Sequence, residues 1–251
     1  MNYLLHALRK YDREKHFFWY PFPHIVIENA VDRDIMDEIE RVGLQSDRVK
    51  TLENDIRKDY RISQEPDWDL LIFLLEQFRL PEFNDILQFC EYLDEKQARK
   101  GEPDSGVFLK PGANVILTSC HYSEYDNDVL CSQESRNVSL KKKCTALIPH
   151  RDQISKIFTS LLYLADEDDY QGGGLDLFHG AVYGNEKNTI CKNAEYVSSI
   201  EYRPGTLVVF LNGPISIHAV GHREPGPHKR KMMLNVFECN WGGWTKRFFK
   251  K

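Results

Sequence analysis

The chain has 251 residues, with 33 Lys and Arg set against 38 Asp and Glu, for a formal charge of −5. That balance argues against a dedicated nucleic-acid binder, whose domain is ordinarily basic, and no apolar run approaches the roughly 20 residues of a membrane-spanning helix. The length suits one large domain that buries about three-quarters of its unfolded surface. The first ten residues lack a sustained apolar stretch and a small-residue cleavage site, so no signal peptide is expected. Six cysteines with no C-x-x-C spacing point to reduced thiols and a cytoplasmic location.

Residues 1–20 are mixed and aromatic, helical in part, with no recognisable chemistry. Residues 21–28, with His24 inside a β-branched run, predict a short strand, and His24 is read as a structural hydrogen-bonding residue. Asp32 is placed to cap an amphipathic helix over 33–42 with Ile35, Met36 and Ile39 on one face, and Gly43 to stop it. Helical periodicity returns at Trp68, Leu71, Leu74, Leu75 and Phe78, and again at Phe83, Ile86, Leu87, Cys90 and Leu93. The expectation is a single domain in which residues 1–105 are a helical support region and residues 106–245 form the core.

From Gly106 the pattern changes to many short strands between turn signals. Strands are predicted over 107–109, 113–120, 156–164, 196–202, 206–211 and 230–238, with a short one around His218. Residues 122–145 read as a long polar insertion, of the kind that serves as a lid or binding loop. The lysine clusters at 141–143 and 246–251 read as solvated surface. Gly172-Gly173-Gly174 matches no phosphate-binding pattern and predicts a positive φ or a close backbone approach at a strand start. The fold class expected is mainly β (α+β), a sandwich or jelly-roll barrel with N-terminal helices packed on the outside.

His150 and Asp152 stand two apart at the head of the 156–164 run, and residues i and i+2 of an extended chain share a face. With 9 His and 38 acidic residues, about 1.4 such His-x-Asp/Glu triplets arise by chance. The second one, His222-x-Glu224, lies among Gly and Pro and is set aside as loop chemistry. His218 supplies a third ligand. Two imidazoles and one carboxylate on one face of an ion leave the other face open, which suits non-haem Fe(II) and oxygen.

His150-x-Asp152, Thr159 and Tyr163 in the following strand, Gly173-Gly174, Pro204-Gly205, His218-x-Val220 and a basic residue in the last strand occur in an order that resembles the Fe(II)/2-oxoglutarate-dependent oxygenases, in particular the branch of the prolyl 4-hydroxylases. Residues 21–27 also look like the first strand of that branch. The resemblance implies a double-stranded β-helix (jelly roll) with iron on His150, Asp152 and His218, and 2-oxoglutarate and O2 as cosubstrates. Ascorbate is a candidate auxiliary reductant.

The cosubstrate's far carboxylate is implied to meet a basic side chain of the last strand, Lys231 or Arg230, together with Tyr163. Strand alternation lets only one of the two point inward. Lys231 is favoured, because Arg230 shares a face with Met232, Leu234 and Val236 that suits outer packing. A small residue is usual where Met233 stands. The expected reaction is hydroxylation of a C–H bond with release of succinate and CO2. The acidic run 166–169 and the 122–145 insertion are expected to border the site mouth. The expected substrate is a small or medium polar molecule, with peptidyl hydroxylation, a non-catalytic cupin-like binder and a zinc hydrolase as the alternatives. No nucleic-acid or membrane partner is implied.

Overall fold

The structure is a computed structural model, and it describes residues 2–47, 49–52, 57–62, 70, 73–74, 77–78, 115–125, 148–153, 156–182 and 189–239. Three short helical pieces open the chain: α1 (Tyr3–Ala7), a 3-10 turn (Leu8–Lys10) and α2 (Arg13–His16). Strands β1 (Phe17–Phe18) and β2 (His24–Ile27) lead into helix α3 (Arg33–Leu44). Strands β3 (Val49–Leu52), β4 (Arg57–Arg61) and β5 (Val115–Tyr125) follow. Then come β6 (His150–Arg151), β7 (Lys156–Tyr163), β8 (Leu175–His179), β9 (Thr189–Ile190) and β10 (Glu195–Ile200). The last three are β11 (Leu207–Leu211), β12 (Ile217–Val220) and β13 (Arg230–Cys239).

These strands make two antiparallel sheets. One has eight strands in the order β1-β2-β11-β7-β13-β5-β4-β3, the other five in the order β10-β8-β12-β6-β9. The period-2 alternation of β7, β11 and β13 divides the core in two. Leu161, Tyr163, Val208, Phe210, Met232, Leu234 and Val236 meet Leu175, Leu177 and Val220 of the smaller sheet. The opposite face of the large sheet, with Phe158, Leu162, Val209, Met233 and Phe237, packs with Leu4, Ala7, Met36 and Ile39 of α1 and α3. Both faces of these central strands are therefore covered, which explains their nearly continuous apolar sequence.

Several predicted boundaries move. Asp32 holds the N-cap position, but its carboxylate makes no cap bond and pairs instead with Lys10 at 3.4 Å. Gly43 does not stop the helix. It lies inside α3, where a Cβ would fall 2.3 Å from Tyr122 Cβ. Gly43→Val is expected to cost about 1–3 kcal/mol as overpacking, seen as a lowered melting temperature of the purified chain with its circular-dichroism spectrum preserved. Strand β5 runs on to Tyr125, so the start of the supposed polar insertion is strand. Its polar groups are matched by β4: Ser123 Oγ donates to Asp59 Oδ1 at 2.6 Å in a buried setting.

Of the helix predicted around residues 68–78, Leu70, Phe73, Leu74, Gln77 and Phe78 are helical, and Leu70, Leu74 and Phe78 are buried. The helix predicted around 83–93, the strand at 107–109, both lysine clusters and residues 126–145 of the insertion lie outside the described residues. The glycine triplet meets both of its expectations. Gly172 and Gly173 have φ of +83° and +86°, and a Cβ on Gly174 would fall 2.0 Å from the Ile200 carbonyl oxygen. Among the described residues no helix is long and apolar enough to cross a membrane.

Candidate metal centre and its cavity

His150 on β6 pairs in register with His218 on β12, which sets their rings 4.6 Å apart between centroids. Asp152 follows β6 by one residue and turns its carboxylate to the same point. The three residues are buried and offer ligand atoms within 4.8 Å of one another, the one such group of three among the described residues. Each imidazole is oriented by a backbone carbonyl: His150 Nδ1 lies 2.8 Å from Ile148 O and His218 Nδ1 2.9 Å from Ser216 O. With Nδ1–H donating there, each Nε2 lone pair is left for an ion, the usual outer hydrogen bond of a metal-binding histidine. The Asp152 Oδ2 accepts from Thr159 Oγ1 at 2.9 Å, which ties the ligand loop to β7.

The charges also fit a cation. Burial opposes ionisation of Asp152, but the Lys156 ammonium and the two imidazoles hold its carboxyl well below the usual range. Burial pushes His150 down to about 4, helped by His218, and burial lowers His218 as well. Both rings are thus neutral at pH 7, the form that ligates metal. In the metal-free protein this carries a stability cost in acid. An unfolded histidine titrates near 6.5. The folded state resists protonation of His150, so its contribution is complete above pH 6.5 and is lost as pH falls towards 4. That loss is roughly 3 kcal/mol for the one ring. Thermal melts of metal-stripped chain between pH 7 and 4.5 should show this decline, and His150→Gln should make it shallower, leaving the part that His218 contributes.

Lys156 went unread in the sequence. Its Nζ lies 3.0 Å from Asp152 Oδ1. The signal available was its place four residues after Asp152, at the head of a strand-like run. Phe210 is another neighbour, its ring 4.6 Å from that of His218.

The two basic candidates on β13 take faces opposite to those expected. Met232 pairs with Tyr163, Leu234 with Leu161 and Val236 with Thr159. Arg230 therefore belongs to the face between the sheets, and it is fully buried. Its Nε donates to Gly173 O at 2.5 Å, and its guanidinium lies 5.0–5.6 Å from the ring centres of Tyr125, Tyr163 and Tyr202. Lys231 points to the other face, where Nζ reaches Asp166 at 3.1 Å and Glu40 of α3 at 3.2 Å. The hydroxyl of Tyr202, which the sequence reading left unassigned, brackets this position. It donates to Lys231 O at 2.9 Å and accepts from Lys231 N–H at 2.7 Å.

Arg230 Nη2 and the Tyr163 hydroxyl are buried and make no hydrogen bond among the described residues. Burial pushes the Tyr163 phenol up to about 12, with Arg230 opposing. Orphaned buried polar atoms cost about 1–3 kcal/mol each, and a carboxylate between them would satisfy both. Thr159, at the triad end, and Tyr163, at the Arg230 end, lie on the same face of β7 and four residues apart, roughly 13 Å along the strand.

The acidic run 166–169 does not border the triad. It follows the Tyr163 end of β7, away from Asp152, and is occupied in ion pairs: Asp166 with Lys231 and Arg33, and Asp169 with the buried Arg223 at 2.8 Å. His222 and Glu224 pair with each other at 2.9 Å on the surface, apart from the centre. His24 is buried with Nδ1 at 2.8 Å from Phe22 O, a structural hydrogen bond.

No family model and no curated protein matches the chain. Solved structures do match. A prolyl-4-hydroxylase from Pseudomonas putida shares 16% identity over 87% of this chain and 93% of its own, at a TM-score of 0.39. A prolyl hydroxylase from Trichoplax adhaerens, in complex with a hypoxia inducible factor peptide fragment, shares 17% over 86% and 83%, at 0.43. The epimerase SnoN, in complex with Fe3+, alpha ketoglutarate and nogalamycin RO, shares 11% over 86% and 78%, at 0.43. By its ordered motifs, and by the convergence of His150, Asp152 and His218, the chain is similar to the Fe(II)/2-oxoglutarate-dependent oxygenases.

Proposed function

We propose that the protein is an Fe(II)/2-oxoglutarate-dependent dioxygenase that hydroxylates an unactivated C–H bond of a small or medium polar substrate. In this reading one oxygenase unit spans the chain, with residues 106–245 as a double-stranded β-helix core and residues 1–105 as its support, in the cytoplasm. The observation that carries it is a ligand cluster and, further along the same face of β7, two buried polar groups that make no hydrogen bond among the described residues. In the cluster the His150, Asp152 and His218 ligand atoms converge. The two polar groups are Arg230 Nη2 and the Tyr163 hydroxyl. An Fe(II)-chelating five-carbon dicarboxylate answers both.

The residues then divide the work. His150, Asp152 and His218 would hold the iron, with Ile148 O and Ser216 O fixing the imidazole tautomers and Thr159 fixing the carboxylate. Arg230 and Tyr163 would take the far carboxylate of 2-oxoglutarate, a charge that is costly to bury without a cation. Leu161, Leu177 and Phe210 belong to the buried hydrocarbon of this face and would keep water from the reacting centre. When bound, iron with 2-oxoglutarate and O2 supplies an oxidation that yields succinate, CO2 and one oxygen atom for the substrate C–H bond.

The test is spectroscopic. Adding Fe(II) and then 2-oxoglutarate to the chain without oxygen should produce a weak visible charge-transfer band. A zinc hydrolase or a non-catalytic cupin would give none, and absence of the band in a chain that retains iron overturns the reading. Succinate release with pooled polar metabolites and peptides then identifies the substrate.

A further inference from the structure

We propose that the open side of the sandwich is a docking groove for an extended, lysine- or arginine-bearing segment of another protein, which adds as a strand to the free edge of β10. The two sheets are open where β10 ends one and β2, with its short cover β1, ends the other. Among the described residues β10 pairs only with β8, and its six residues are exposed or half-buried. On either side of a bulge between Tyr196 and Ser198, alternate backbone N–H and C=O groups of the strand point outward, a template for another strand. β1 covers only His24 and Ile25 of β2.

Between these edges lie cavities of about 360 and 840 Å3. They share Glu28, Ser199, Glu201, Arg203 and Thr206 as walls, so they form one continuous groove. Its first half is lined by Phe18 and Tyr20, which are 44% and 63% exposed. The second half is lined by six carboxylates with Arg33 and Arg203; Asp32, Asp169 and Glu201 are already paired, with Lys10, Arg223 and Arg203, which leaves Glu28 and Glu167 as the acidic wall open to a cation. Arg203 is already paired with Glu201, and Arg33 with Asp37 and Asp166.

Charge decides the occupant. A second copy pairing through β10 would bring two sets of these carboxylates together in a chain of charge −5, whereas a cationic segment is drawn in. Six residues of β10 offer about 20 Å of edge, room for a segment of similar length with alternate side chains over Glu28 and Glu201. The aromatic end lies beside the metal centre. Leu177 in the groove wall pairs with His218, and His24 pairs with Phe210, which touches the His218 ring.

The experiment uses the full chain, with and without Fe(II), and a fluorescein-labelled ten-residue peptide alternating lysine and threonine. Fluorescence anisotropy should show saturable binding that weakens at least tenfold between 50 and 300 mM salt, since exposed charge contacts are screened. Glu28→Lys with Glu201→Lys should weaken it at least tenfold, whereas Glu14→Lys on α2 should leave it unchanged. Hydrogen exchange of residues 195–200 should slow on binding. The proposal is overturned if a glutamate-for-lysine peptide binds equally, or if the groove variants match Glu14→Lys. Protection outside β10, or a concentration-dependent dimer that already protects β10, overturns it equally. Binding is read without turnover, so a chain that binds the peptide yet gives no charge-transfer band keeps this inference and loses the oxygenase reading.

Discussion

Asp152→Ala abolishes stoichiometric iron retention and reduces substrate-dependent succinate formation to background. The expectation follows from what the carboxylate does. It is the only anion among the three converging ligands, so its loss leaves two neutral imidazoles facing Lys156 with nothing to offset a divalent charge. Its removal also frees Thr159 Oγ1, which now donates to Asp152 Oδ2. Metal analysis after gel filtration, together with succinate quantification, reads both effects. His218→Ala should match it in iron retention. Thr159→Val, which removes only the outer hydrogen bond, should weaken iron by about 10–100-fold. Retention of a full equivalent of iron by Asp152→Ala would show that the ion, if any, sits elsewhere.

Arg230→Ala raises the 2-oxoglutarate concentration needed for half-maximal charge-transfer absorbance by at least 100-fold, and Lys231→Ala by less than threefold. Removing one partner of a buried charge pair costs about 3–5 kcal/mol, or roughly two to three and a half decades in affinity. Arg230 is fully buried on the face it shares with Tyr163, whereas Lys231 spends its charge on Glu40 and Asp166. Lys231→Ala should instead lower thermal stability by about 1 kcal/mol, the scale of partly exposed pairs. Tyr163→Phe should weaken 2-oxoglutarate by several-fold through the lost hydroxyl bond. An anaerobic titration of the three variants separates these outcomes, and an affinity lost in Lys231→Ala but kept in Arg230→Ala would return the role to the lysine.

The choice between Arg230 and Lys231 shows where sequence alone stopped. Ordinarily the apolar face of a strand marks its inward side, but β13 is apolar on both: Met232, Leu234 and Val236 meet the facing sheet, while Met233 and Phe237 meet the helices. Its parity is set by pairing with β7, through residues 69 to 82 apart in sequence that no local pattern records. The triad residues were legible because His150 and Asp152 are two apart at the head of a β-branched run, and because His218 opens a short strand between turn signals. Lys156 was not, since a lysine at a strand start looks like solvent surface until the loop before it is folded back. The same limit hid the extent of β5. Ser123 and Glu124 read as loop, yet β4 supplies Asp59 for the first, and Tyr122 donates to Glu124 at 2.9 Å. Gly43 misled for a related reason: its missing side chain serves Tyr122 on a neighbouring strand rather than the end of its own helix.

Strand β7 fastens Asp152 at one point of its inner face through Thr159 and presents Tyr163 beneath the Arg230 guanidinium at another. On the proposed reading it works as a caliper, since a strand held by hydrogen bonds to β11 and β13 along its length cannot stretch to suit its guest. Dicarboxylates one carbon shorter or longer than 2-oxoglutarate would reach the iron or the arginine, but not both with good geometry. The backbone itself would thereby choose among keto acids of a metabolising cell by length.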